Sequence, residues 1–72
     1  MMREVEIRGD MIRLGQLLKL AGVVDDGAMA REVIERGLVA VNDEIDTRRG
    51  RQVRPGDVVT YEAETIHVTA EP

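Results

Sequence analysis

The run Gly37-Leu38-Val39-Ala40-Val41-Asn42 marks the point where the spacing of the apolar residues changes. Before Gly37, apolar residues recur every three to four positions, as they do on one face of a helix. After Gly37 the period becomes two, which predicts a strand over Leu38–Val41. Asn42-Asp43 then predicts a tight hairpin turn, and Glu44-Ile45-Asp46 predicts the returning strand. The chain therefore divides at Gly37 into a helical part and a strand-rich part.

Two short helices are expected upstream of this run. The first spans Met11–Ala21, with Asp10 as its expected N-cap and Gly22 as its stop. Its apolar residues form one stripe at i, i+3, i+4 and i+7: Leu14, Leu17, Leu18 and Ala21. The second helix runs from about Ala28 to Arg36, capped by Asp25 or Asp26, and its inward residues are Ala30, Val33 and Ile34. Because the link between the helices is short, they must pack as a hairpin or as a helix-turn-helix-like pair.

The remaining segments predict strands. Glu4–Arg8 alternates polar and apolar residues, as an edge strand does. Thr47–Gln52 is expected as a loop, and Pro55-Gly56-Asp57 as a turn. Two further strands are predicted, Asp57–Tyr61 and Ile66–Thr69, joined near Ala63-Glu64. The sequence thus predicts an α+β domain over residues 1–72, with a two-helix hairpin packed on a small, mostly antiparallel sheet of four to five short strands.

Charge is distributed unevenly along the chain. The net charge at pH 7 is −4, which by itself disfavours a polyanionic partner. However, residues 48–54 hold four arginines and no acid, whereas residues 1–47 and 55–72 each carry a net charge of −4. We call residues 48–54 the arginine loop. The whole positive excess lies in this loop, which makes it the first candidate for contact with phosphate groups.

Composition argues against most other classes of function. With no cysteine and a single histidine, His67, the chain offers no recognisable metal-ligand set, cofactor motif or nucleophile, so neither an enzyme nor a metalloprotein is expected. No apolar run approaches the roughly 20 residues of a membrane helix, and the first residues lack the pattern of a signal peptide. A cytoplasmic protein is therefore expected. Tyr61 is the only aromatic residue, so stacking on unpaired bases is not expected either.

Taken in order, several segments between Ile12 and Val59 resemble the αL RNA-binding motif, or S-four domain, named after small-subunit ribosomal protein four. The segments that carry the resemblance are Arg13-Leu14, Leu17-Leu18-Lys19, Ala21-Gly22-Val23, Ala30-Arg31 with Ile34, Gly37–Asn42 and Arg54–Val59. The stretch Glu44–Arg51 is similar to that of the stand-alone bacterial members, the YbcJ-like proteins. The resemblance implies binding of structured RNA, with ribosomal or ribosome-associated RNA as the expected target and no catalytic domain.

This chain departs from the family pattern at three places. Asp26-Gly27 occupies the position of a common Ser-Arg pair, Gly15 stands where an aspartate is common, and Asp43 replaces the usual turn glycine. An acid at Asp26 would repel phosphate. Asn and Asp tolerate left-handed backbone angles, so the turn at Asn42-Asp43 is expected to survive. These departures bear on affinity more than on fold.

The resemblance and the charges together give seven candidate RNA-binding residues: Arg13, Lys19, Arg31, Arg48, Arg49, Arg51 and Arg54. Arginine suits phosphate because its planar group can bind two oxygens and stays protonated. On one continuous helix Arg13 and Lys19 would point about 120° apart, so Arg31 is expected to join one of them.

Each of these roles has an alternative. The arginine loop could be a solvated turn whose arginines pair with a nearby acid: Asp43, Glu44, Asp46 or Asp57. Arg31 could simply form an ion pair with Glu35 at i+4. At the level of function, the alternative is a protein-interaction adaptor that keeps the fold, has weak or no RNA affinity, and docks an acidic partner with the arginine loop. A monomer is expected, since nothing in the sequence demands a dimer.

Overall fold

The computed structural model describes residues 1–72, which form two helices and seven strands. In chain order these are β1 Met2–Ile7, β2 Ile12–Arg13, α1 Leu14–Leu20, α2 Gly27–Glu35, β3 Val39–Val41, β4 Glu44–Ile45, β5 Gln52–Val53, β6 Val58–Tyr61 and β7 Glu64–Ala70. Five strands form one sheet in the order β1-β7-β6-β3-β4, and β2 and β5 form a separate two-stranded ladder. The prediction of an α+β fold with a two-helix hairpin is confirmed.

The main sheet is antiparallel except at one edge. β3 pairs antiparallel with β4 and β6, and β6 pairs antiparallel with β7. β1 lies parallel to β7, in a register that runs from Met2 opposite Thr65 to Ile7 opposite Ala70. The prediction of a mostly antiparallel sheet is therefore confirmed, and the parallel pair joins the two ends of the chain.

The helices and the sheet enclose one aliphatic core of 17 buried residues. The helices contribute four side chains that are fully buried: Leu14, Leu17, Leu18 and Ile34. The sheet and the β2–β5 ladder contribute the facing set: Val39, Val41, Val53, Val59, Ile66 and Val68. Burying an aliphatic side chain of this size stabilises the fold by about 1.5–3 kcal/mol, so these contacts supply the main driving force for folding.

The start of α1 differs from the prediction. A helix from Met11 with Asp10 as N-cap is wrong, because Ile12 and Arg13 are extended and pair with β5. Arg13 is the N-cap residue, with φ −77° and ψ 145°, and its side chain makes no capping hydrogen bond. Backbone carbonyls of the arginine loop take that role instead. The helix can therefore begin at Leu14 without a capping side chain.

The other helix boundaries agree with the prediction. Asp26 caps α2 by accepting a hydrogen bond from the Met29 amide at 2.8 Å. Gly22 and Gly37 both have φ of +75°, the left-handed conformation in which glycine commonly ends a helix. The two helices thus form the expected hairpin.

The turns also follow the prediction, with shifts of one residue or so. Asn42 and Asp43 have φ of 51° and 70°, as a two-residue hairpin turn of type I′ requires. The expected survival of this turn without glycine is therefore confirmed. Gln52 belongs to β5 rather than to the preceding loop, because it pairs with Arg13. The β6–β7 turn consists of Glu62-Ala63, since β7 already begins at Glu64.

Candidate nucleic-acid interface

The arginine loop is fixed against the first turn of α1 by backbone hydrogen bonds. The Leu14 amide donates to the Arg51 carbonyl at 2.9 Å, and the Gly15 amide donates to the Arg49 carbonyl at 3.1 Å. These two carbonyls accept hydrogen bonds from amide groups that would otherwise lack a partner at the start of the helix. The loop and the helix start therefore form one structural unit.

Gly15 allows this close approach. A Cβ atom at position 15 would lie 2.8 Å from Arg49 Cγ and 3.7 Å from the Arg49 carbonyl oxygen. Carbon atoms make their best contact at about 3.5–4.0 Å, so any side chain at position 15 would displace Arg49. Gly15 is also buried, and the Arg49 side chain lies across it.

A buried carboxylate holds the other side of the loop. Asp46 Oδ1 accepts hydrogen bonds from the Arg48 amide at 2.9 Å and from Arg48 Nε at 3.0 Å. Its Oδ2 accepts from Arg48 Nη2 and from Arg51 Nη1, both at 2.8 Å. The Arg48 hydrogen bonds hold the pKa of Asp46 well below its usual range, with help from Arg51 and against the opposing effect of burial. Asp46 is therefore ionised, and it ties two arginines of the loop together.

A first basic cleft lies between α1, α2 and the loop, and we call it the helix-side cleft. It is lined by Arg13, Gly15, Gln16, Lys19, Gly27, Ala30, Arg49 and Gly50. Three of these residues are cationic, and none of the eight is acidic. The side chains of Arg13, Lys19 and Arg49 are exposed and make no salt bridge or hydrogen bond within the protein. All three can therefore contact a ligand without breaking an existing interaction.

A second basic cleft adjoins the first at Gly50, and we call it the loop-side cleft. It is lined by Arg48, Gly50, Arg51, Gln52 and Arg54. Asp57 fixes its far end by accepting a hydrogen bond from the Arg54 amide at 2.8 Å. Although burial opposes the shift, the Arg54 amide and the Asn42 side chain keep the pKa of Asp57 below its usual value. The cleft thus presents three arginines from a backbone anchored at both ends.

The two clefts gather six of the seven residues predicted from the sequence. Arg31 lines neither cleft, and its Nε lies 3.0 Å from Glu35 Oε2, which is the ion pair considered as its alternative. The pairing with Asp46 considered for the loop is present for Arg48 and Arg51. Arg49 enters the helix-side cleft where Arg31 was expected.

Sequence reasoning missed Gln16 and the role of Gly15. Gln16 lies three residues after Arg13 and three before Lys19, and that spacing would have suggested a shared exposed face. The expected 120° separation of Arg13 and Lys19 does not apply, because Arg13 precedes the helix and is extended. Both residues consequently line one cleft.

Metal-ligand groups, the single histidine, the single tyrosine and the helix lengths were considered next. No group of three or more histidine, cysteine or acidic residues is placed to hold a metal ion. His67 is half-buried on β7, and Tyr61 is buried in the core at the end of β6. Neither helix has the length or the hydropathy to cross a membrane.

Comparisons with known proteins place this chain among small relatives. The family model described as "S4 domain" matches residues 5–69, nearly the whole chain. The chain is 48% identical over 62 residues to a Bacillus subtilis protein named "Probable ribosome maturation protein RlbA". The aligned residues make up 86% of this chain and 87% of the relative. The chain is also 32% identical over 59 residues to an Escherichia coli protein named "Putative RNA-binding protein YbcJ", covering 82% and 84% respectively.

Proposed function

Because the chain belongs to the S4 domain family, we propose that residues 1–72 form one RNA-binding unit that recognises structured RNA through the helix-side and loop-side clefts. The observation that carries the proposal is the convergence of six basic side chains on two adjoining clefts that contain no acidic lining residue. The names of the two relatives, which refer to RNA binding and to ribosome maturation, support RNA as the partner.

The clefts are suited to the sugar–phosphate backbone. Arginine can bind two phosphate oxygens at once, and Gly50 lets a phosphate approach the loop backbone where the two clefts meet. The protein has no exposed aromatic ring on which an unpaired base could stack. Recognition therefore depends on the shape of a folded RNA and on the positions of its phosphates. The protein acts by binding rather than by catalysis.

Ribosomal RNA is the proposed target. The relative with 48% identity carries ribosome maturation in its name, and ribosomal RNA offers many folded junctions and grooves of the kind that shape-based binding requires. A protein with that target would work in the cytoplasm, as a monomer that covers one RNA element. Contacts with several phosphates would make its affinity fall steeply as salt is raised.

The experiment is a titration of the protein with folded ribosomal RNA fragments at low and moderate salt. One variant replaces Arg13, Lys19 and Arg49 with alanine, because these side chains make no salt bridge or hydrogen bond within the protein. A matched control replaces Arg3, Arg8 and Arg36, which form surface ion pairs away from both clefts. Both variants lose three positive charges. They differ in the position of the lost charge and in the three surface ion pairs that the control breaks, which contribute little to stability.

We expect the cleft variant to lose most of its affinity. Its salt dependence, the slope of log K against log salt concentration, should become shallower by about 2–3 units, at about 0.7–0.9 per lost phosphate contact. The control variant should keep a salt dependence close to that of the wild type. Equal losses in the two variants would mean that only net charge matters, and no cleft could then be assigned. If the wild type fails to bind at low salt, the RNA proposal is wrong, and an acidic protein partner becomes the next candidate.

A further inference from the structure

Asp46 is an unexpected residue for a surface that binds phosphate. It is the only charged side chain buried in the protein, at 6% exposure, and it lies within the most basic segment. A carboxylate beside a phosphate site lowers affinity through charge repulsion, and burying one is costly unless it is paired. We therefore looked for a favourable contribution of Asp46 to binding that could offset both effects.

The hydrogen bonds of Asp46 show what that gain is. Each of the two arginines that contact it carries five N–H donors. Arg48 uses Nε and one Nη2 hydrogen on the carboxylate, and Arg51 uses one Nη1 hydrogen there and its Nε on the Gln52 carbonyl. Each guanidinium group thus keeps three N–H donors, and both groups line the loop-side cleft. The carboxylate fixes the two groups without using up their capacity to bind phosphate.

Fixing the arginines in advance matters because long side chains lose rotamer freedom when they bind. Ordering one such side chain at an interface carries an entropic cost that lowers affinity. The Arg48 side chain is 71% exposed, so solvent would leave it mobile without the bond to Asp46. The two side-chain hydrogen bonds from Arg48 to Asp46 therefore order Arg48 when the protein folds. Less rotamer freedom then remains to be lost when RNA binds.

We propose that Asp46 is a positioning residue for RNA binding, which holds the guanidinium groups of Arg48 and Arg51 side by side so that their free N–H donors can contact phosphate oxygens. This inference rests on the proposed function and adds to it a residue that repels the ligand yet strengthens its binding. Net charge and positioning make opposite predictions for its removal. If charge alone matters, neutralising Asp46 tightens binding; if positioning matters, it weakens binding.

The test compares Asp46→Asn with Glu44→Gln, using the same folded ribosomal RNA fragment. Each substitution removes one negative charge close to the loop. Glu44 is exposed and forms no side-chain hydrogen bond, so its replacement isolates the effect of charge. We expect Glu44→Gln to bind as well as the wild type or slightly better. We expect Asp46→Asn to bind about tenfold more weakly, the size of one lost charge-assisted contact.

A second readout separates positioning from loss of stability. A partly unfolded variant loses apparent affinity, but its folded fraction keeps the same salt dependence. Loss of the two positioned arginines instead reduces the salt dependence by about 1–2 units. Amide exchange at Arg48 should also quicken in Asp46→Asn relative to exchange at the core amides, because a neutral amide oxygen accepts this hydrogen bond more weakly than the carboxylate Oδ1 does.

If Asp46→Asn does not fold, the pair Arg48→Lys and Arg54→Lys replaces it. Both keep the charge and lose the planar fork, but only Arg48 bonds to Asp46. The proposal expects the larger loss of affinity in Arg48→Lys, and equal losses would overturn it. Binding by Asp46→Asn that matches or exceeds that of Glu44→Gln would overturn this inference alone. Failure of the wild type to bind would overturn the proposed function along with it.

Discussion

Gly15→Ala is the substitution that tests the contact between α1 and the arginine loop most directly. The new Cβ atom would lie 2.8 Å from Arg49 Cγ and 3.5 Å from Cδ. The first distance is at least about 0.7 Å shorter than an ordinary carbon–carbon contact, so the Arg49 side chain must move. Because that side chain is exposed, it can swing outward instead of distorting the helix.

The effect on stability should be small. Alanine is favoured over glycine by up to about 1 kcal/mol in a helix, and this gain opposes the cost of moving Arg49. We therefore expect the free energy of unfolding to change by less than about 1 kcal/mol. In a protein of this size that corresponds to a shift in Tm of less than about 4–8 °C.

The effect on RNA binding should be much larger, because the displaced Arg49 leaves the helix-side cleft. Loss of one phosphate contact should reduce the salt dependence by about 0.7–0.9 units and weaken binding by about tenfold or more. The assay is a double-mutant cycle of Gly15→Ala, Arg49→Ala and the double variant, titrated with one RNA fragment. If Gly15 acts through Arg49, the double variant loses no more than Arg49→Ala alone. Additive losses, or wild-type binding by Gly15→Ala, would refute the steric argument.

Three further predictions follow from the fold and the site. Asp26→Ala should lower the free energy of unfolding by about 0.5–2 kcal/mol in a thermal melt, because α2 loses its N-cap. The same substitution should tighten RNA binding, because it removes the acid that immediately precedes Gly27 of the helix-side cleft. The free energy of unfolding should decrease as the pH is lowered through about 4. Unfolded Asp46 takes up a proton near its ordinary pKa of 3.8, whereas the folded carboxylate stays ionised. An acid titration of Asp46→Asn should show a smaller decrease than the wild type, and equal decreases would contradict this. Ile34→Ala should cost about 2–5 kcal/mol, measured as a lower urea midpoint, because the side chain is fully buried and leaves a cavity.

Local patterns were sufficient for most of the fold. The apolar stripe of α1 and the switch of period after Gly37 depend only on neighbouring residues, and the structure follows both. The exception is the start of α1. Asp10 has a side chain suited to capping a helix, but α1 begins only at Leu14. The amides of Leu14 and Gly15 bond to carbonyls more than 30 residues away, and no local rule can identify such a partner.

The candidate site was only partly accessible from the sequence, for a similar reason. Charge counting identifies the arginine loop, and pairing with Asp46 was one of several options open to its arginines. Selecting Asp46 among four nearby acids requires knowing which of them is buried, and burial is a property of the whole fold. Likewise, the contact between Gly15 and Arg49 depends on how the loop crosses the helix.

The parallel pairing of β1 with β7 bears on the rate at which the protein folds. Residues 2–7 find their partners at 65–70, so the edge of the sheet closes only after a loop of about 60 residues has been brought together. Such long-range closure slows folding relative to local contacts. The helix hairpin and the β3–β4 turn need only nearby residues and can form earlier. A chain still being synthesised could therefore assemble its helices well before β7 emerges to shield Val5 and Ile7.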